Sequence, residues 1–219
     1  MVMKMIVQIL LYIANGLIVL GFLGYIIMIF VNRKTIIDGK DGFNITKDIL
    51  EEYDSINIIE NKSVFTIYNI KRKVIKIASR CYYGNSVSDI AIPLMESGIS
   101  GVDNKQNKYL NLFRKIISNL KYLYVLPIIS IILNSITYNL GDARIGLFIV
   151  AIFSIISYML IDIKTNAYLW LEENIKKIKN INYDKVLNFI NKIIIFDKLI
   201  FFGELIMIIR FVAILLEIN

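Results

Sequence analysis

The sequence predicts a membrane protein, mainly α, with about four transmembrane helices and a small α+β cytoplasmic segment. Three observations predict it. Apolar residues make up 57% of the 219 and run in uncharged blocks rather than at the periods of a soluble helix or strand. The basic residues fall almost wholly into two stretches between those blocks. After the first block, the pattern changes for some twenty-five residues to short β-branched runs, numbered about 55–79.

The first block, Met5 to Val31, is 27 residues without a charge, and a bilayer core needs roughly 20. It is too long for a signal peptide and lacks an obvious small-x-small cleavage site, so it reads as a retained anchor, 5–31. Further candidate spans are Tyr122–Leu140, Ile145–Ile161 and Leu199–Ile218. The last carries Glu204 and Arg210, a possible intramembrane polar site. Arg210 lies near mid-bilayer if 199–218 spans, where a charge costs about 3 kcal/mol on insertion scales.

Of 25 Lys and Arg, segment 32–121 holds 15 and segment 162–198 holds 7, leaving Lys4, Arg144 and Arg210. The positive-inside rule places both basic segments in the cytoplasm of, by composition, a bacterial plasma membrane. The domains expected are the anchor, a cytoplasmic α+β segment 32–121, a two-span unit 122–161, a cytoplasmic helical connector 162–198 and a last span 199–218. Topology accounts for the net charge of +7, so no nucleic-acid partner is implied, and the first partner expected is the lipid bilayer. A lone cysteine, Cys81, excludes an internal disulfide.

Within 32–121, Asp38-Gly39-Lys40-Asp41-Gly42 reads as a turn-rich linker. Asn44 or Thr46 is the candidate cap of a short helix through Tyr53, with Phe43, Ile45, Ile49 and Leu50 as its apolar face. The runs INIIE, SVFTIYN and KVIKIAS read as a short antiparallel β meander. Gly84 breaks the chain. Ser86-Val87-Ser88-Asp89 then has capping-box form and starts a helix that carries Met95, Glu96 and Ile99. A further helix, Gln106 to Leu120, leads to the second span. Ala167 to Lys179 reads as a helix leaving the membrane, with Tyr168 and Trp170 near the interface.

This order of features resembles the bacterial integral-membrane zinc metallopeptidases of the YugP type. The stretch Tyr82-Tyr83-Gly84-Asn85-Ser86-Val87-Ser88-Asp89-Ile90 is similar to the family's Tyr-His-Gly-Arg-Ser-Val-Ala-Ala-Ile. Without a gap, the family's Ala-His-Glu-x-Gly-His falls on Leu94-Met95-Glu96-Ser97-Gly98-Ile99. Its Pro-Val-Glu-Phe-Asp-Ala-Ser falls on Tyr158–Lys164. Retained family positions on this reading are Tyr82, Gly84, Ser86, Gly98 and Asp162.

The departures fall on the chemistry. In His-Glu-x-x-His the imidazoles share a zinc and the glutamate activates the metal-bound water. Here the histidine positions hold Met95 and Ile99, the downstream acidic ligand position holds Leu160, and the chain contains no histidine. Thioether and aliphatic groups do not replace imidazole at zinc. What the resemblance implies is therefore a pseudo-peptidase: a degenerate His-Glu-x-x-His helix, Glu96 as a vestigial general-base position, no catalytic or metal residues and no cofactor. Its partner is expected to be an active peptidase relative, another membrane subunit or a peptide. Two alternatives stay open. One is an active hydrolase with unconventional metal ligands, which needs zinc. The other is a small membrane scaffold or transport-complex subunit.

Overall fold

The computed structural model describes residues 2–37, 41–51, 56–63, 65–69, 71–105, 129, 132, 140–177 and 183–217. The chain is mainly helical. It divides into two compact units: Met1–Tyr25 with Lys121–Ile161 and Ile195–Asn219, and Ile26–Leu120 with Asp162–Ile194.

The first unit is built from α1 (Val2–Asn32), α5 (Leu140–Asn174) and α6 (Tyr183–Glu217), each of which also runs into the second. All three are long and apolar enough to cross a membrane. The expected span Tyr122–Leu140 and the helix Gln106–Leu120 lie outside the described residues, apart from single positions of the former. Ala14, Ile18, Ala143, Val150, Met207 and Phe211 pack as its buried core. Lipid tails are as apolar as leucine, so such helices associate through close packing rather than through a drive to leave water. Small residues supply it. A Cβ on Gly21 would stand 2.8 Å from the Phe196 carbonyl oxygen, and one on Gly203 2.9 Å from that of Ala14. Ile9, Leu20, Phe30, Phe148, Ile155, Phe202 and Ile209 remain exposed, which suits contact with lipid.

The second unit holds α2 (Gly42–Ile49), β1 (Asn57–Asn61), β2 (Ile67–Asn69), β3 (Val74–Ala78), α3 (Ser79–Tyr83) and α4 (Val87–Lys105). The strands lie close to the expected runs, but the sheet is not an antiparallel meander. Its order is β1-β3-β2, with β1 parallel and β2 antiparallel to β3. Burial explains the order. The centre of a sheet suits the strand with the most apolar surface to hide, and β3 contributes Ile75 and Ile77, both fully buried. The turn into β3 passes through Lys73 at φ 49°, a left-handed position.

Local chemistry corrects three further expectations. Asp41, rather than Asn44 or Thr46, caps α2, its carboxylate accepting the Asn44 N–H at 2.8 Å. The helix ends at Ile49 instead of reaching Tyr53, and it buries Ile45, Ile49 and Leu50 as the pattern required. The helix expected to leave the membrane over 167–179 is present as the end of α5, which runs to Asn174, but α6 starts at Tyr183, well before the expected span at 199. Trp170, expected near the interface, is 4% exposed and lies against Gly101 of α4.

Candidate functional site

Helix α4 carries every residue for which the sequence suggested peptidase-like chemistry, except Leu160 and Asp162. Its start is fixed by the residues expected to fix it. The Ser86 hydroxyl accepts the Asp89 N–H at 3.2 Å and donates to the Asp89 carboxylate at 2.6 Å. The acid thus takes the cap's own proton, where a standard capping box would bond the cap's backbone N–H. The other Asp89 oxygen meets Arg80 at 3.1 Å. Chain leaving α1 braces the same end: Val87 N–H donates to Thr35 C=O and Ile37 N–H to Asn85 C=O.

Gly84 stands where any side chain would strike the Arg80 carbonyl oxygen at 2.5 Å and Asp89 at 2.7 Å. Tyr82 stacks on Phe43 of α2 with ring centroids 4.5 Å apart. Tyr82, Gly84 and Ser86 therefore have structural work at the α4 N-terminus. Ser86→Ala is expected to lower stability by about 1 kcal/mol, the usual worth of such a cap, read as a reduced midpoint of thermal unfolding in detergent.

Pro93 sits inside α4, and the helix continues through it to Lys105. The proline cannot donate to the Asp89 carbonyl. Gly42 lies close by: a Cβ there would be 2.9 Å from that oxygen and 2.2 Å from the Cys81 oxygen. Absence of a side chain at Gly42 is what lets the α2 backbone come so near.

Further along, Ser97, Gly98 and Gly101 make one face of α4 small, on the same helical face as Leu94 at the i, i+3, i+4, i+7 spacing. That face meets α5, with Gly98 on the Ala167 carbonyl and Leu171, and Gly101 on the Trp170 ring. Ser97 and Ser100 turn their hydroxyls onto the carbonyls of Pro93 and Ser97, at 2.9 and 2.7 Å, so neither is left as an unsatisfied donor.

Glu96 points to the sheet. Its carboxylate accepts the Tyr68 N–H of β2 at 2.8 Å. One turn-pair along the same face, Asp103 accepts the Tyr68 hydroxyl proton at 3.2 Å. One residue of an edge strand is thus held to α4 at both ends. Tyr68 is 2% exposed, and burial with Asp103 beside it pushes its hydroxyl pKa well up. Glu96 keeps some exposed surface, yet dense surroundings push its carboxyl up to about 7, against the Tyr68 hydrogen bond and the Lys164 charge, which pull it down.

These residues do not fit a zinc ion. Met95 is buried and offers only a thioether, Ile99 offers no donor, and Glu96 is committed to a backbone amide. Leu160 lies half-buried on the part of α5 in the first unit, and Asp162 is exposed. Asp89 is engaged by Ser86 and Arg80. Cys81 is buried, and burial first, then the nearby Asp89, pushes its thiol up to about 11, so the thiolate a metal needs is scarce at neutral pH. Among the described residues no three His, Cys, Asp or Glu side chains come together at metal-binding distance.

The sequence pointed to Glu96 but not to its partners. Tyr68 is 28 residues away and Lys164 68 away, and no local pattern links them. Asp103, which shares Tyr68 with Glu96, lies seven residues on along the same helix face, the one relation a helical plot could have flagged. Comparison with known protein families, with characterised proteins and with solved structures gives no match for this chain.

Proposed function

We propose that this chain is a catalytically inactive membrane relative of the YugP-type zinc metallopeptidases, kept to bind a polypeptide or to assemble with a partner membrane protein. The observation that carries the reading is Glu96. A general base must face a water, and in a zinc peptidase that water is acidified by the metal. Here the carboxylate at that position accepts the Tyr68 amide, with Met95 and Ile99 where imidazoles would stand. The position has passed from chemistry to architecture, while the helix around it keeps its cap, its glycine face and its strand. Three long apolar helices support residence in a membrane, and the distribution of basic residues supports a cytoplasmic face for 32–121 and 162–198 of a bacterial plasma membrane.

The deciding experiment is metal content. Protein purified in mild detergent without a histidine tag, offered zinc and washed, is expected to hold well under one zinc per chain by mass spectrometry. It is also expected to leave unstructured peptides uncut. Close to one tightly held zinc per chain, or peptide cleavage abolished by a chelator, overturns the reading in favour of a hydrolase with unconventional ligands.

A further inference from the structure

Independently of the peptidase reading, the first unit contains a polar group that packing does not explain. Glu204 on α6 is fully buried, and neither carboxylate oxygen has a hydrogen-bond partner. Facing it from α5 is Ser157, near enough to act on the carboxyl though short of good hydrogen-bond geometry. One turn earlier on α5, Ser154 is 4% exposed and its hydroxyl too has no partner. The two helices touch here, with the Tyr158 and Phe201 rings 5.9 Å apart, and Gly203 brings α6 onto Ala14 and Ile18 of α1. The carboxyl is therefore enclosed between helices rather than turned to the membrane surface.

An ionised, unpartnered carboxylate in such surroundings costs several kcal/mol, and a leucine would fill the space without that cost. Arg210 does not neutralise it. Six residues along one helix place the two about 9 Å apart in rise and about 120° apart in direction, so they are not neighbours on a face. The Arg210 guanidinium instead lies over the Phe211 ring, 5.5 Å from its centroid. Across the apolar runs 5–31, 145–161 and 199–216 the remaining titratable groups are Tyr12, Tyr25 and Tyr158, which are neutral at physiological pH. Among the described residues nothing hydrogen-bonds either Glu204 oxygen, so a bound proton or a bound cation is what would balance its charge.

We propose that Glu204, with the Ser157 and Ser154 hydroxyls of α5, forms an intramembrane site for a small monovalent cation, either a proton or Na+. Carboxylate and hydroxyl oxygens are hard donors, suited to these ions and not to a soft metal. Such a site gives the membrane unit an ion-linked state separate from anything at Glu96.

A membrane-permeant fluorescent carbodiimide tests this, because it attacks protonated carboxyls in apolar surroundings. On the full-length protein in detergent, label is expected on the peptide containing Glu204, and absent from that peptide in Glu204→Gln. Labelling of the native protein is expected to fall about tenfold per pH unit above the midpoint of the site. Protection by Na+, but not by K+ or choline at equal ionic strength, assigns the site to sodium. Protection by pH alone assigns it to the proton. No label at Glu204 while a water-soluble carbodiimide labels the exposed carboxyls overturns the proposal. So does labelling at Glu204 that ignores both pH and Na+. The pH and Na+ series needs only the native chain, so it decides the matter even if Glu204→Gln does not fold.

Discussion

Glu96→Gln is expected to make the protein more stable than the native chain at pH 8 and no more stable than it at pH 5. The sign follows from the carboxyl's raised pKa. Burial first of all pushes it up to about 7 from an ordinary 4.5. Between those values the folded state holds a proton that the unfolded state has released, so stability falls as pH rises through that window. Above about pH 7 the loss is complete. A shift of this size corresponds to about 3 kcal/mol, reduced in practice by the solvent that still reaches the half-buried side chain. Glutamine keeps an acceptor for the Tyr68 N–H at the same place and carries no charge, so it removes the pH dependence without orphaning the strand.

The check is thermal unfolding of both proteins in detergent from pH 4.5 to 8. The difference between them is expected to grow in favour of glutamine across the window. A difference that stays constant, with glutamine the weaker throughout, would mean that the Lys164 charge keeps Glu96 ionised across the whole range. The same substitution bears on chemistry, since an enzyme that used Glu96 as its base would lose its activity while this stability gain remained.

Gly98→Ala is expected to destabilise the second unit by about 2–3 kcal/mol, although alanine is normally the better helix residue by about 1 kcal/mol. The added methyl would lie 2.6 Å from the Ala167 carbonyl oxygen and 3.0 Å from Leu171. A flexible side chain could swing away, but a backbone oxygen within a helix cannot, so α4 and α5 must move apart. Separation also pulls on the Gly101–Trp170 contact three residues along, and a larger residue such as leucine at position 98 is expected to abolish the packed state. Gly16→Ala is the control. Nothing lies within 4 Å of the Cβ it would add, so the ordinary helix preference is expected to show as a gain of up to about 1 kcal/mol. Thermal midpoints in one detergent measure all three. Equal effects at Gly16 and Gly98 would mean that the close crossing of α4 on α5 does not exist in solution.

Gly98, flanked by positions where the resemblance would expect metal ligands, lets two helix backbones meet. Glu96, which the resemblance would make a general-base position, bonds a strand amide. Tyr82, Gly84 and Ser86 likewise act as stacking, close approach and cap.

What the sequence determined by itself is what depends on near neighbours or on composition. The long apolar helices follow from apolar runs of about bilayer length, the first of them, 5–31, uncharged over 27 residues. The start of α4 follows from a serine three residues before an acid. The apolar face of α2 follows from its spacing, and the three strands from β-branched runs closed by turns. The absence of any imidazole donor is equally plain in a chain without histidine. Tertiary structure alone decided the rest, because the deciding partners are far apart in sequence. Strand order turns on which strand hides most surface, not on chain order, so β3 sits in the middle. Asp41 outcompetes Asn44 and Thr46 as a cap because the backbone turns into the helix there. Trp170, which by composition suits a membrane interface, is drawn onto Gly101 because a bare glycine offers it a flat surface. What stands opposite Glu96 and Glu204 is carried by no local pattern: a strand amide at one, the Ser157 hydroxyl of a neighbouring helix at the other.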